Sequence, residues 1–287
     1  MITSLKLWFD SLRRTLTNPR ALLTFVALYA VLLVSFYFFI STREATVLQV
    51  FVTYALLLLV PAEFFVLQAS ILEFARGQKF DIRNLLVSAL KIAAVTIPVL
   101  IISALLWWLM NKLQARFPAP PAPIVFPRPP HRSPPMHWPT LLIATLRFVV
   151  FGIALPLTTI HLWIEASVCN VRESLAGGAK TIFGTIGRAL ARAFSSESVL
   201  VYGLGLILFV LGPFLILLPR LTFRGTKTGF TLFVLQVLVA FLLMLIGWVV
   251  TLATLAKKAM QAPEARQDVA PGVSPGTATI SESPSPL

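Results

Sequence analysis

The sequence predicts an all-α polytopic membrane protein with six transmembrane helices, and two observations predict it. Hydrophobic residues make up 57% of the 287 and charged residues only 12%, with a mean hydropathy of +0.86, outside the balance of a soluble domain. The charges also cluster between long uncharged runs: Ala21 to Thr42, Ile92 to Asn111, Ser198 to Pro219 and Thr228 to Ala256. Each run reaches the roughly 20 residues that a helix needs to cross about 30 Å of hydrocarbon. Two further spans, 46–74 and 141–168, are as apolar but are interrupted by Glu63 and by Arg147 and His161.

Before the first span, residues 1–20 repeat Leu5, Trp8, Phe9, Leu12 and Leu16 at helical spacing, with Lys6, Arg13 and Arg14 elsewhere. This is the pattern of an amphipathic helix lying in the membrane interface, broken at Asn18 and Pro19. With Asp10 inside its apolar stripe and no small-residue cleavage site, it does not read as a cleaved signal peptide. A second such helix is expected before the third span, where RGQKFDIRNLLVSALK mixes Arg76, Lys79, Arg83 and Lys91 with Phe80, Leu85, Leu86 and Leu90. A third precedes the fifth span. There Leu175, Ile182, Phe183, Ile186, Leu190 and Phe194 form a stripe, and Lys180, Arg188 and Arg192 lie off it, suited to an anionic phospholipid surface.

The chain thus divides into a three-unit repeat, 3–75, 76–168 and 169–260, each unit an interfacial helix, a span leaving the cytoplasmic side, an outer loop and a span returning. The six-helix domain occupies 21–260. The returning spans of the first two units, VPAEFFVLQASILEFARG and LPLTTIHLWIEASVCNVR, carry Pro61 and Pro156 at matching depths. A proline there withdraws the hydrogen bond of a carbonyl one turn back, near Gly152 in the second case. The two positions read as hinges or as packing features, because neighbouring helices can satisfy a freed carbonyl. Ten prolines between 118 and 139 mark the outer loop 116–139 as a polyproline spacer or a groove ligand. Residues 261–287, rich in Pro, Ser, Gly and Ala, read as a disordered tail.

The net charge of +13 points to lipid instead of nucleic acid, since the basic residues border the spans and form no soluble basic face. With the N-terminus inside, the inner segments hold 15 Lys and Arg and the outer segments eight, which places both termini in the cytoplasm of a bacterial inner membrane. Trp107, Trp108 and Trp138 fall near the outer interface, and Trp8 and Trp163 near the inner one.

The candidate site residues are few. Glu63 is the one acid placed deep in hydrocarbon, where ionisable groups are costly. Alignment in depth sets it beside Thr158, less than a turn from His161, as a polar site between the second and fourth spans. It reads either as a carboxyl hydrogen-bonded between helices, with Gln68, Thr158 or His161 as partner, or as a proton or solute site. His161, Glu165, Cys169 and Glu173 follow one another at four-residue steps, but each step overshoots a full turn by about 40°, so His161 and Glu165 can share a ligand whereas His161 and Glu173 cannot without help. A metal would need further ligands from the second span, and the single cysteine excludes a multi-thiolate site. Arg147 can snorkel to the outer interface.

Catalytic signatures are missing: AGGAK at 176–180 lacks the Ser or Thr of a phosphate loop, and no H-E-x-x-H motif or pair of intramembrane aspartates occurs. A single intramembrane histidine gives no bis-histidine haem site, and no cofactor is expected. The segments Arg76 to Leu90 and RESLAGGAKTIFGTIGRAL, each feeding a pair of spans, resemble bacterial six-helix membrane domains such as the one fused to some glycerophosphodiester phosphodiesterases. The soluble catalytic domain of those proteins has no counterpart here, so the resemblance implies no activity and no site residue. The expected function is that of a scaffold, anchor or accessory subunit, with a membrane-protein partner or a second copy. The alternative is a small transporter or channel.

Overall fold

In a computed structural model the described residues are 2–42, 46–77, 81–118, 137–168, 178–218 and 226–261. The body of the proline-rich loop, the C-terminal tail, Cys169 and Glu173 lie outside them. The described chain forms helices α1 (Ile2–Thr17), α2 (Pro19–Ser41), α3 (Val47–Arg76), α4 (Ile82–Arg116), α5 (Trp138–Val168), α6 (Gly178–Ala193), α7 (Ser196–Leu217) and α8 (Thr226–Gln261). Among the described residues there is no strand. Six of the helices, α2, α3, α4, α5, α7 and α8, are long and apolar enough to cross a membrane, and the protein is a multi-pass membrane protein.

Local chemistry explains most boundaries. Asn18 accepts a hydrogen bond from the Ala21 amide (3.1 Å), and Pro19 opens α2, where its missing N–H costs nothing. Thr46 and Gln49 form a reciprocal capping box at the start of α3. Gly77 ends α3 in the left-handed region, at φ 73°, which disfavours a side chain. Ser195 caps α7.

The second interfacial helix is not separate. After its cap at Asp81, α4 runs unbroken from Ile82 to Arg116 and absorbs the amphipathic segment into the third span. The reason is chemical: no Gly or Pro occurs between Ile82 and Ile97, whereas Asn18-Pro19 and the Ser195 cap divide α1 from α2 and α6 from α7. Pro98 sits inside α4 without ending it.

The core lies at the end of the bundle that carries α1 and α6, called here the closed end. Nine consecutive residues of α3, Leu67 to Ala75, and eight of α8, Val249 to Ala256, are buried on every face. These two helix ends form the centre. Around them stand α1 and α2, with α4 against α3 and α5, and α6 against α5. Toward the opposite, open end burial thins out: no residue from Val47 to Val66 of α3 is buried.

Helices α1 and α6 divide their faces. In α1, Ser4, Trp8, Ser11 and Thr15 are buried, and the helix packs on α8 and more lightly on α2 and α7, while Leu5, Phe9 and Leu16 are exposed. The expected apolar stripe is therefore split, with Trp8 turned inward. In α6, Ala189 and Ala193 are fully buried, and Ile186, Leu190 and Phe194 point away from the bundle.

Lipid tails are as apolar as leucine, so helices associate by close packing and hydrogen bonds more than by a hydrophobic gain. The α7–α8 contact shows close packing at two glycines. A Cβ on Gly205 would stand 2.9 Å from Cγ2 of Thr251, and one on Gly247 would stand 2.8 Å from Cβ and 2.9 Å from the backbone N of Phe209. A Cβ on Gly203, by contrast, would meet nothing within 4 Å. Gly205→Ala is accordingly expected to destabilise the protein by about 1–3 kcal/mol through overpacking. Gly203→Ala should be neutral or stabilising by up to about 1 kcal/mol, since alanine favours the helix. Thermal unfolding in detergent reads both, and equal effects would overturn the assignment of this contact.

Candidate functional site

The polar groups inside the spans begin with Pro156. Having no N–H, it cannot bond the carbonyl of Gly152, and α5 takes a π-helical course over Phe148–Ala154 immediately before it. The Tyr202 hydroxyl of α7 donates to that carbonyl at 3.0 Å. A second π turn, Ile207–Leu211 in α7, precedes Pro213 in the same way. Pro61 behaves differently: α3 passes through it as ordinary α-helix, and Pro61 itself is exposed.

Glu63 is half-buried in α3. Its Oε1 accepts a hydrogen bond from Ser35 Oγ of α2 at 3.0 Å, and its Oε2 is buried without a partner. His161 is 3% exposed in α5, with Nε2 likewise buried and unpartnered. The charges within electrostatic reach of His161 are Arg192 of α6 and Lys258 of α8.

No hydrogen bond joins Glu63 to His161, and their directions around the helices differ. The facing residues of α3 and α5 are Phe64 and Trp163, with ring centroids 6.0 Å apart. Glu63 precedes Phe64 by one residue, about 100° of turn, and His161 precedes Trp163 by two, about 200°. Glu63 is thereby carried to α2 and His161 toward α6 and α8.

At the closed end, ionic groups join helix to helix. Arg192 pairs with Glu165 of α5, so of the three cations expected on the lipid surface this one is turned inward. Arg188 is exposed, and the Lys180 side chain lies outside the described residues. Lys258 meets Glu197 of α7 at 2.7 Å. Arg76 bonds the Ser167 carbonyl at 3.1 Å and the Ser167 hydroxyl. Glu73, 2% exposed, accepts a long bond of 3.5 Å from Ser88 of α4. Two tryptophans add neutral pairs: Trp248 Nε1 donates to Gln68 at 2.7 Å, and Trp163 Nε1 donates to Thr96 at 2.8 Å. Among the described residues no three His, Cys, Asp or Glu side chains come together as a metal site.

Sequence reasoning missed Tyr202, Ser35 and Trp248 as partners. The one available signal was Pro156, which marks a carbonyl in need of a donor but not the helix that supplies it. Comparison with protein-family models, curated proteins and solved structures gives no match to this chain.

Tyr202→Phe should cost about 0.5–2 kcal/mol, the range for interhelical hydrogen bonds in membranes. In a Pro156→Ala background an N–H returns to residue 156, and the same substitution should cost less. Unfolding midpoints of the four proteins in detergent check this, and an equal cost in both backgrounds would show that the hydroxyl does not replace the missing amide.

Proposed function

We propose that this chain is a non-catalytic protein of a bacterial cytoplasmic membrane, a scaffold, anchor or accessory subunit of a membrane complex, with both termini in the cytoplasm. The observation that supports it is how the polar groups of the bundle are used. Gln68 and Trp248, Thr96 and Trp163, Glu165 and Arg192, and Glu197 and Lys258 bond one helix to another, and the ends of α3 and α8 are buried on every face. Such bonds fasten the helices of the closed end to one another, as a scaffold requires. The outward stripes Leu5, Phe9, Leu16 and Ile186, Leu190, Phe194 then enter the inner leaflet, with basic residues at the headgroups. The likeness to six-helix bacterial membrane domains is proposed at the level of architecture alone.

A transporter or channel is the second reading, and the observation favouring it is Glu63, two residues after Pro61 in mid-span, whose Oε2 is buried without a partner. Proteoliposomes distinguish the two. Under the leading reading the reconstituted protein conducts protons no faster than protein-free vesicles, and Glu63→Gln changes nothing. A proton flux that disappears in Glu63→Gln would replace it with the transporter reading.

The membrane-surface role makes a separate prediction. In the isolated peptide 171–195 Glu165 is absent and Arg192 is free. Converting Lys180, Arg188 and Arg192 to Gln should weaken binding to anionic vesicles by up to about 1 kcal/mol per residue in a sedimentation assay. Unchanged binding would remove lipid-surface attachment from this reading.

A further inference from the structure

Among the described residues, the open end of α4 and α5 carries cations with no acidic partner. No acidic residue occurs in the sequence between Asp81 and Glu165. Among the described residues, Asp10, Glu73, Asp81, Glu165 and Glu197 belong to the closed end, and Glu63 bonds Ser35 in mid-span. Yet Lys112 and Arg116 stand in the last turns of α4, and Arg147 of α5 reaches Asn111 beside them in sequence.

The geometry there is specific. Arg147 Nη2 donates to Asn111 Oδ1 at 2.6 Å, and its guanidinium lies over the Trp107 ring, 5.2 Å from the centroid. Asn111 is neutral, so the bond positions the guanidinium and leaves its charge uncompensated. A guanidinium has five N–H donors, and this one makes a single hydrogen bond to the protein; its Nε is buried without a partner. One helical step away, Lys112 Nζ lies 5.7 Å from the Trp108 centroid. Each cation is thus held over an indole of α4, Arg147 from α5 over Trp107 and Lys112 from α4 itself over Trp108.

The depth fits a headgroup. At 1.5 Å per residue the 35 residues of α4 extend about 52 Å, well beyond about 30 Å of hydrocarbon, so its last turns stand among the phosphates. Trp107 and Trp108, 51% and 57% exposed, lie one turn deeper, where an indole borders the acyl chains.

We propose that Arg147, Lys112 and Asn111, with Trp107 and Trp108, form a phosphate-oxyanion site that takes the headgroup of an anionic phospholipid in the leaflet at the open end. The phosphate supplies a counter-charge that no described side chain supplies, by the charge-assisted pairing that guanidinium groups favour. A lipid, and not a free phosphate, is the ligand because its acyl chains cover the exposed indole faces and a soluble anion would leave them bare. This site is distinct from the basic helices α1 and α6 at the other end and does not rest on the scaffold reading.

Photo-crosslinking tests it on the full chain in proteoliposomes containing phosphatidylglycerol with a diazirine in its headgroup, with crosslinked peptides mapped by mass spectrometry. Crosslinks are expected on residues 107–116 and 138–147. Removing two surface cations should lower their yield about thirtyfold in Lys112→Gln/Arg147→Gln, while crosslinks on α1 stay unchanged. Lys112→Gln alone, which leaves the Arg147–Asn111 contact in place, should lower the yield about fivefold, so a folding defect in the double variant does not decide the outcome. An excess of inorganic phosphate should not compete. Absence of crosslinks at this end in the unaltered protein, or a yield that both variants leave unchanged, would overturn the proposal. Loss of the crosslinks with inorganic phosphate would overturn the lipid as ligand and leave a soluble phosphate in its place.

Discussion

A polar group inside hydrocarbon has no water to fall back on, and the position of every spanning helix here answers to that constraint. Pro156 removes the amide that would have met the Gly152 carbonyl, and the Tyr202 hydroxyl comes to it from α7. That bond fixes α7 beside α5. Gln68 can lie at the centre of the closed end because the Trp248 indole donates to it, which joins α3 to α8, and Trp163 joins α5 to α4 through Thr96. None of these bonds is worth much alone, but each also forbids the alternatives, since a displaced helix would leave a buried donor or acceptor unmet. Glycine does the rest. At Gly205 and Gly247 the absence of a side chain lets α7 and α8 approach closely enough for dispersion contacts to hold them.

This constraint also explains what the sequence discloses. The six spans are legible because crossing a bilayer requires about 20 uncharged residues in a row, a one-dimensional property. An expected depth is legible for the same reason: counting residues from the span ends assigns Glu63 and His161 to similar levels. Direction around the helix is not, because it depends on which neighbour each face meets. Phe64 and Trp163 take the α3–α5 contact, and the two ionisable groups beside them are turned to other helices. In α1 the same ambiguity split the apolar stripe, since a helix between protein and lipid has two apolar surroundings: Trp8 and Leu12 went inward, and Leu5, Phe9 and Leu16 are exposed. Arg192 shows the limit for charges: its partner Glu165 is 27 residues away in sequence, and no spacing rule connects them. The merging of α4 with its amphipathic leader was open to a simpler reading, the want of any helix breaker from Ile82 to Ile97.

The two ends of the bundle handle charge in opposite ways, and the difference follows from where the carboxylates are. At the closed end Glu165 and Glu197 meet Arg192 and Lys258, so these charges are neutralised within the protein and serve to fasten α6 and α7. At the open end of α4 and α5 only cations and neutral groups are present among the described residues. Indole rings and Asn111 orient those cations, but a ring quadrupole or an amide oxygen offsets a full positive charge only in part. An external anion completes the balance there. On the topology with the N-terminus inside, this gives a physical reason for the outer basic residues that weaken the positive-inside bias.

Burial sets a further asymmetry that bears on stability. Since the fully enclosed stretches of α3 and α8 lie at one end, the free energy that holds the hairpins together is concentrated there, and the outer halves of α2, α3 and α4 contribute few buried side chains. A helix pair anchored at one end is a lever: a small rotation at the closed end moves its outer half further than its inner half. Contacts near the open end, such as Arg147 with Asn111 across α5 and α4, therefore count for more in fixing the outer geometry than their modest individual strength implies. An anion bound to Arg147 and Lys112 would act at the same place, linking the two helices where the packing of the protein itself is thinnest.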